Sequence, residues 1–233
     1  MLRILSRSVM LASMTWALGA CTSSTDRGAP PSANGDPTVK LPSNTIPVPI
    51  VEQQQDFTGG DVATLALLRF WKHDDYANVP ESALYAPLKT TRADGTEPYD
   101  IATYLNGIAG MSAEYRTATQ GDQLSDLEAA IDRGEPPIVD VQAWRAGTAP
   151  YATDWHDGQY AVLVGYDAAN LFFMDPTTPG GHYGYISRAE ITARWHDVVG
   201  SNGIPTDRMA IFVHGDAPGY WGTSVPPRAS PIP

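Results

Sequence analysis

The side chains that most often carry out nucleophilic or metal chemistry are few in this chain and widely separated. The 233 residues include a single cysteine, Cys21, and five isolated histidines, which are His73, His156, His182, His196 and His214. No H-x-x-E-H or comparable paired spacing occurs among them, so the sequence predicts no metal site. The adjacent Gly59 and Gly60 precede an apolar stretch but lack the lysine of a phosphate-binding loop. We therefore expect no cofactor.

The charged residues exclude several classes of partner. The formal net charge is −11 and the isoelectric point is about 4.7, so nucleic acid and anionic lipid headgroups would be repelled. The carboxylates Asp56, Asp61, Asp74 and Asp75 do not have the spacing of a calcium-binding EF-hand loop. They are more typical of a solvated acidic rim.

Cys21 belongs to a targeting pattern. The first 20 residues combine Arg3 and Arg7 with an apolar core that is too short to span a bilayer, which is the layout of a secretory signal. The ending Leu-Gly-Ala before Cys21 resembles the lipobox of bacterial lipoproteins, in which the cysteine is lipidated and becomes the first mature residue. Thr22 stands where such lipoproteins would have a retention aspartate, so the resemblance implies the outer membrane, facing the periplasm or the surface.

Composition divides the rest of the chain into a tether, a domain and a tail. Residues 21–45 are rich in Ser, Thr, Pro and Gly and are predicted to form a flexible tether. Residues 46–216 have the apolar patterning of one folded domain, and the Pro-rich residues 217–233 are predicted to be an irregular tail. Because Cys21 is the only cysteine, no intrachain disulfide can stabilise the domain.

The domain pattern places helices before strands. Helical spacing is seen over residues 61–73 with Asp61 as a plausible N-cap, and further helices are predicted over 80–89, 97–110 and 125–134, the last capped by Ser125. Four β-rich stretches follow, at residues 136–144, 159–167, 170–176 and 208–216. This order predicts an α+β fold with an antiparallel sheet rather than alternating βαβ units.

Four segments in this order resemble one known family. The segments are "EQQQDFTGGDVATLALLRFW", "PPIVDVQAW", "HDGQYAVLVGYDAANLFFMDP" and "HYGYISRAEITARWHDV". Together they are similar to the papain-fold cysteine peptidases that process bacteriocin leaders, the double-glycine peptidases of cysteine peptidase family thirty-nine, in their exported stand-alone form. The resemblance covers about residues 46 to 216 and implies a papain-like fold.

The family motif can be placed on the chain residue by residue. It has a glutamine six residues before a Cys-Gly pair, a Gly-His pair at the start of a strand, and an aspartate before a proline. By resemblance, Gln53 takes the oxyanion-stabilising position, Gly60 the glycine of Cys-Gly, and Asp175 the position that orients the histidine. Gly59 occupies the nucleophile position and Gln159 the position of the general base.

These two departures remove the chemistry that the resemblance would otherwise imply. Glycine has no side chain to attack a carbonyl, and the amide of Gln159 does not gain or lose a proton near neutral pH. Thr58 and His156 could form a displaced pair. His156 lies three residues before Gln159, however, and side chains three apart on an extended chain point to opposite faces, about 10 Å apart.

What remains of the site is a groove. By resemblance, Gly60, Trp144, Trp155 and Tyr160 are candidates to border it, although the aromatic residues are also typical of core packing. The sequence therefore predicts a lipid-anchored, catalytically inactive peptidase-like domain that binds a peptide or protein. The alternatives are an active hydrolase of peptides that uses non-standard residues, and a purely structural envelope lipoprotein.

Overall fold

The structure is a computed structural model, and it describes residues 38–120, 123–145, 147–148, 150–178, 182–200, 202–220, 222, 226 and 228–233. The predicted signal, Cys21 and most of the predicted tether lie outside the described residues. No helix within the described ranges is both long enough and apolar enough to cross a membrane.

Five α-helices are found in the described residues. They are α1 (Gly59–Trp71), α2 (His73–Tyr76), α3 (Pro98–Asn106), α4 (Gln123–Asp132) and α5 (Arg188–Arg194). The predicted helices over 61–73, 97–110 and 125–134 are confirmed as α1, α3 and α4. Asp61 is not an N-cap, because α1 begins two residues earlier and Thr58 takes that place. Ser125 is also not a cap, because the helix-forming Gln123 and Leu124 extend α4 upstream.

The helix predicted over 80–89 is wrong. Only a single 3₁₀ turn, Glu81–Ala83, is present in that stretch, and turns follow it. Pro87 accounts for the difference, because proline has no backbone N–H and its ring collides with the preceding helical turn.

The strands form one large sheet and one hairpin. Their bounds are β1 (Val39–Lys40), β2 (Met111–Arg116), β3 (Ile138–Gln142), β4 (Gly158–Tyr166), β5 (Asn170–Met174), β6 (Tyr183–Ser187), β7 (His196–Val199), β8 (Ile204–Asp207), β9 (Ala210–Gly215) and β10 (Arg228–Pro231). The eight-stranded sheet has the order β1-β10-β6-β5-β4-β3-β9-β2, and β7 pairs with β8. All sheet pairs are antiparallel except β10 with β6. The predicted α+β class with its antiparallel sheet is confirmed.

The sheet extends beyond the predicted domain limits on both sides. β1 lies in the predicted tether, and β10 lies in the predicted tail, where it pairs with β6 and β1. The prediction of an irregular tail is therefore wrong for Arg228–Pro231. Proline is tolerated in this strand because β10 lies near the sheet edge, and Ile232 just beyond it is buried.

The core forms where α1 packs on the middle of the sheet. Every residue of α1 except Arg69 is buried, and the helix packs against β4. Residues 161–165 of β4 are all buried, so the sheet is covered on both faces at this point. This packing holds the first turn of α1 beside the first residues of β4.

Candidate active-site cleft

The first turn of α1 lies directly against the start of β4. Gly59 and Gly60 are the first two residues of the helix and are buried. A Cβ atom on Gly59 would lie 3.2 Å from Gln159 Oε1 and 3.3 Å from Gln159 Nε2. A Cβ on Gly60 would lie only 2.7 Å from the Cβ of Thr96, so this position has no room for a larger residue. Position 59, predicted as the nucleophile position, and position 159, predicted as the base position, are thus within van der Waals distance of each other.

Gln159 is hydrogen-bonded within the site. Its Nε2 donates to Gln53 Oε1 at 2.9 Å, and a longer contact of 3.4 Å joins it to Asp175 Oδ1. Gln53 in turn donates from Nε2 to the carbonyl oxygen of Gln55 at 3.0 Å. The structure therefore brings together all four predicted catalytic positions. The amide of Gln159 thus donates to both Gln53 and Asp175, and the shorter hydrogen bond is to Gln53.

Asp175 is held in a closed network. It is 2% exposed, and its Oδ2 accepts from Trp144 Nε1 at 2.8 Å and from the Thr178 hydroxyl at 3.0 Å. The backbone N–H of Thr177 donates to Oδ1 at 2.9 Å. Burial raises the pKa of Asp175, and these hydrogen bonds oppose the rise because they favour the charged form. The carboxyl is thus positioned by its neighbours rather than by solvent.

These residues open onto a cleft of about 510 Å³. Gly59, Gly60, Gln159 and Tyr160 form part of its wall. Of the aromatic residues predicted to border it, Tyr160 does so and donates its hydroxyl to the carbonyl of Thr96 at 2.9 Å. Depressions of about 370 and 470 Å³ elsewhere on the surface share no residue with this cleft.

Two of the predicted binding residues lie outside the cleft wall. Trp144 has a backbone φ of 57° and directs its indole N–H to Asp175, so it supports the site from behind. Trp155 packs against His196, with ring centroids 4.3 Å apart. Trp144 also packs against the core, whereas the observed contact of Trp155 is with the His196 ring.

The sequence analysis missed two carboxylates of the cleft, Asp140 on β3 and Asp197 on β7. Burial and repulsion from Asp197 raise the pKa of Asp140, and burial also raises the pKa of Asp197. Asp197 lies so close to Gly158 that no side chain would fit there. A signal was available, because Asp140 interrupts the apolar stretch "PPIVDVQAW" at a position where the strand is buried on both faces.

Comparison with solved structures identifies the fold. A protein described as a C39-like peptidase from Bacillus anthracis superposes with a TM-score of 0.55 at 14% identity, covering 78% of this chain and 100% of that one. The chain has the C39-like peptidase fold. The peptidase domain of Streptococcus ComA, a bi-functional ABC transporter of a quorum-sensing pathway, gives a TM-score of 0.49 at 20% identity over 72% of this chain and 99% of the other. A double glycine motif protease from an AMS/PCAT transporter, solved with its leader peptide, gives 0.48 at 14% identity, over 76% and 97%. No protein-family model and no curated protein matches the sequence.

Within this C39-like fold, the displaced Thr58 and His156 pair is poorly placed for chemistry. Thr58 is fully buried, and its hydroxyl donates to the carbonyl of Gln55 at 3.0 Å. His156 is exposed on the cleft wall, and its ring has no part in that hydrogen bond. A threonine nucleophile needs an accessible hydroxyl whose proton passes to a base, and the hydroxyl of Thr58 is neither accessible nor directed to His156.

Proposed function

We propose that this chain is a lipid-anchored protein of the bacterial envelope whose C39-like domain binds a peptide or protein partner in the cleft without cleaving it. The observation behind the proposal is that positions 59 and 159 face each other at the first turn of α1, where a Cβ atom on Gly59 would lie 3.2 Å from Gln159 Oε1. A papain-type peptidase requires a thiolate and an imidazole at this point.

The expected loss of activity is large. Removing one member of a catalytic triad lowers the rate by about 10⁴- to 10⁶-fold, and what remains comes from binding and oxyanion stabilisation. Here the two positions that would move the proton are glycine and glutamine. Proton transfer from nucleophile to base, on which the papain mechanism depends, has no groups to perform it.

Binding is supported by what the cleft retains. Its volume of about 510 Å³ lies within the range of roughly 300 to 1,000 Å³ that is usual for ligand pockets. Gln159 lies in its wall, and buried apolar residues of α1 and β4 pack beneath it. The wall is mainly polar, because it includes five aspartates together with Arg92 and His156, and such groups can hydrogen-bond the backbone and the polar side chains of an extended peptide.

Cleavage is tested with the purified domain and a diverse mixture of synthetic peptides, analysed by mass spectrometry. We expect no new peptide ends after prolonged incubation. Reproducible cleavage that disappears in Thr58→Ala or His156→Ala would establish an active hydrolase and overturn the proposal.

Binding is tested by photo-crosslinking the same mixture and mapping the labelled residues. We expect crosslinks at the cleft, and we expect them to be lost in Gly59→Leu, whose side chain would project into it. Gly147→Leu is the matched control, because Gly147 is exposed and no atom lies within 4 Å of the added Cβ. Crosslinks that are absent in the unmodified protein would favour a purely structural lipoprotein.

A further inference from the structure

The carboxyl pair in the cleft has an unusual hydrogen-bonding deficit. Asp140 is 3% exposed, and its Oδ1 has no hydrogen-bond partner among the described residues. A buried carboxylate oxygen without a donor costs free energy, so such oxygens are normally satisfied by the protein, by water or by a ligand. Asp140 lies in the cleft wall together with Asp197, which is partly exposed.

The donors nearest to the pair are already used. Gln142 Nε2 donates to the carbonyl of His196 at 2.9 Å and to Asp197 Oδ1 at 3.1 Å, which uses both of its hydrogens. The hydroxyl of Tyr160, which faces Asp140 across the β3–β4 pair, donates to the carbonyl of Thr96. The pair is otherwise hydrogen-bonded within the protein, since the carboxyl groups of Asp140 and Asp197 bond to each other and the backbone N–H groups of Val141 and Gln159 donate to Asp140. Asp140 Oδ1 is therefore the oxygen that a ligand can satisfy.

The charge of the cleft selects the kind of donor. Besides Asp140 and Asp197, the wall has three further carboxylates, those of Asp56, Asp94 and Asp157. Its single arginine is Arg92. Burial raises the pKa of Asp140, and repulsion from Asp197 and the hydrogen bond between the two carboxyl groups add to the rise. A positively charged hydrogen-bond donor would satisfy the free oxygen and remove the repulsion together.

We propose that Asp140 and Asp197 recognise a basic side chain, the ammonium of lysine or the guanidinium of arginine, on the peptide that enters the cleft. This inference rests on the proposed peptide binding. A metal ion is the less favoured occupant, since no group of three or more His, Cys, Asp or Glu side chains in the described residues could hold one.

The test compares two mixtures of short peptides that are identical except at one position. One mixture has lysine or arginine there, and the other has the uncharged norleucine or citrulline. Binding to the full mature chain is measured by fluorescence anisotropy. We expect the basic mixture to bind about tenfold more tightly, which is typical of one charge-assisted hydrogen bond.

Protein variants locate the effect. Asp140→Asn and Asp197→Asn should each reduce binding of the basic mixture to the level of the neutral one, whereas Asp75→Asn, which removes an exposed carboxylate outside the cleft, should change nothing. The peptide comparison needs no variant, so it decides the question even if Asp140→Asn does not fold.

The outcomes separate the two proposals. Equal binding of both mixtures, or a preference for the basic mixture that survives Asp140→Asn and Asp197→Asn, would overturn the recognition of a basic side chain and leave peptide binding intact. Binding of neither mixture would overturn both. Saturable binding of Mn²⁺ alone that is lost in Asp140→Asn would show that the pair is a metal site instead.

Discussion

Peptide hydrolysis by the papain mechanism needs two groups that exchange a proton. A thiol and an imidazole can do so, but Gly59 and Gln159 cannot. The rest of the network is present: Gln53, Asp175 and Trp144 are joined through hydrogen bonds of 2.8 to 3.4 Å. We infer that the site keeps the arrangement of a catalytic centre, while the residue types at positions 59 and 159 remove its chemistry.

The first prediction concerns a variant with a thiol at position 59 and an imidazole at position 159. Gly59→Cys combined with Gln159→His, in a Cys21→Ser background, should give a thiol whose pKa lies well below the ordinary value of about 8.5, because the first turn of α1 and an imidazolium held by Asp175 both stabilise a thiolate. The measurement is the rate of alkylation by iodoacetamide as a function of pH. We expect rapid alkylation down to about pH 6.

The single variant Gly59→Cys is the control for this experiment. It has the helix terminus but not the imidazole, so its thiol should have a higher pKa than that of the double variant. If the double variant titrates like a free thiol, either the assignment of positions 59 and 159 or the geometry of the site is wrong.

At the scale of elements, the first turn of α1 contains an acid that has a structural role. Asp61 is fully buried, so the prediction that it belongs to a solvated acidic rim is wrong, and it accepts hydrogen bonds from the hydroxyls of Thr90 at 2.7 Å and Thr96 at 3.1 Å. Burial raises the pKa of Asp61 to about 6, although these hydrogen bonds oppose the rise. The helix start is thus connected to the loop before α3, which forms one wall of the cleft.

The second prediction concerns the pH dependence caused by Asp61. Because its pKa is higher in the folded than in the unfolded state, the folded chain binds the proton more tightly, and the free energy of unfolding falls as the pH rises from about 4 to about 6. In Asp61→Asn this contribution disappears. Urea unfolding of both proteins measures the difference between their free energies of unfolding. This difference should change with pH up to about pH 6 and remain constant above it. A difference that is independent of pH would contradict the assignment.

β10 is the element that the sequence analysis placed outside the domain. Ile232, just after it, is 3% exposed and packs against Gly184 of β6. The buried Arg194 donates from Nη1 to the carbonyl of Ile232 and from Nε to the carbonyl of Gln142. The last residues of the chain therefore contact β6 directly and are linked to β3 through Arg194.

The third prediction tests this contribution to stability. Ile232→Ala should lower the free energy of unfolding by about 2 to 5 kcal/mol, because it removes a buried side chain and leaves a cavity. Ile204→Ala is the matched control, since Ile204 is 60% exposed and should change the stability by no more than about 0.5 kcal/mol. Both values come from urea denaturation. Equal effects of the two substitutions would show that β10 does not contribute to the folded core.

At the scale of the whole molecule, we propose that the domain is attached to a membrane through Cys21. The net charge of −11 gives the domain no affinity for an anionic lipid surface, so attachment depends on the lipid. Because β1 includes Val39 and Lys40, the segment that can act as a tether ends earlier than residue 45. A C39-like cleft held at the envelope would meet exported or periplasmic peptides.

The fourth prediction tests the anchor in a Gram-negative host. The unmodified chain should partition into the detergent phase of a Triton X-114 extract, and Cys21→Ser should partition into the aqueous phase because it cannot be lipidated. Thr22→Asp provides the matched control: it should still be lipidated but should move from the outer to the inner membrane fraction. Detergent partitioning of Cys21→Ser would contradict the lipobox assignment.

The sequence by itself determined the elements whose signals lie in neighbouring residues. The apolar period of α1 and the β-branched stretches of β3, β4, β5 and β9 identify their elements locally. The sequence also shows directly that neither a thiol nor an imidazole is present at positions 59 and 159. Local signals fail where a distant partner decides, as in β10, which is a strand because β6 pairs with it.

Contacts between side chains that are distant in sequence are seen only in the folded structure. Gln159 donates to Gln53 across 106 residues of sequence, and Asp140 lies beside Asp197 although β4, β5 and β6 come between β3 and β7 along the chain. Such contacts depend on how α1, β4 and β7 pack against one another, and no short stretch of sequence encodes that packing. On our proposal, the residue types at positions 59 and 159 rule out the papain mechanism, whereas the packing of the elements determines which groups line the cleft that would hold a ligand.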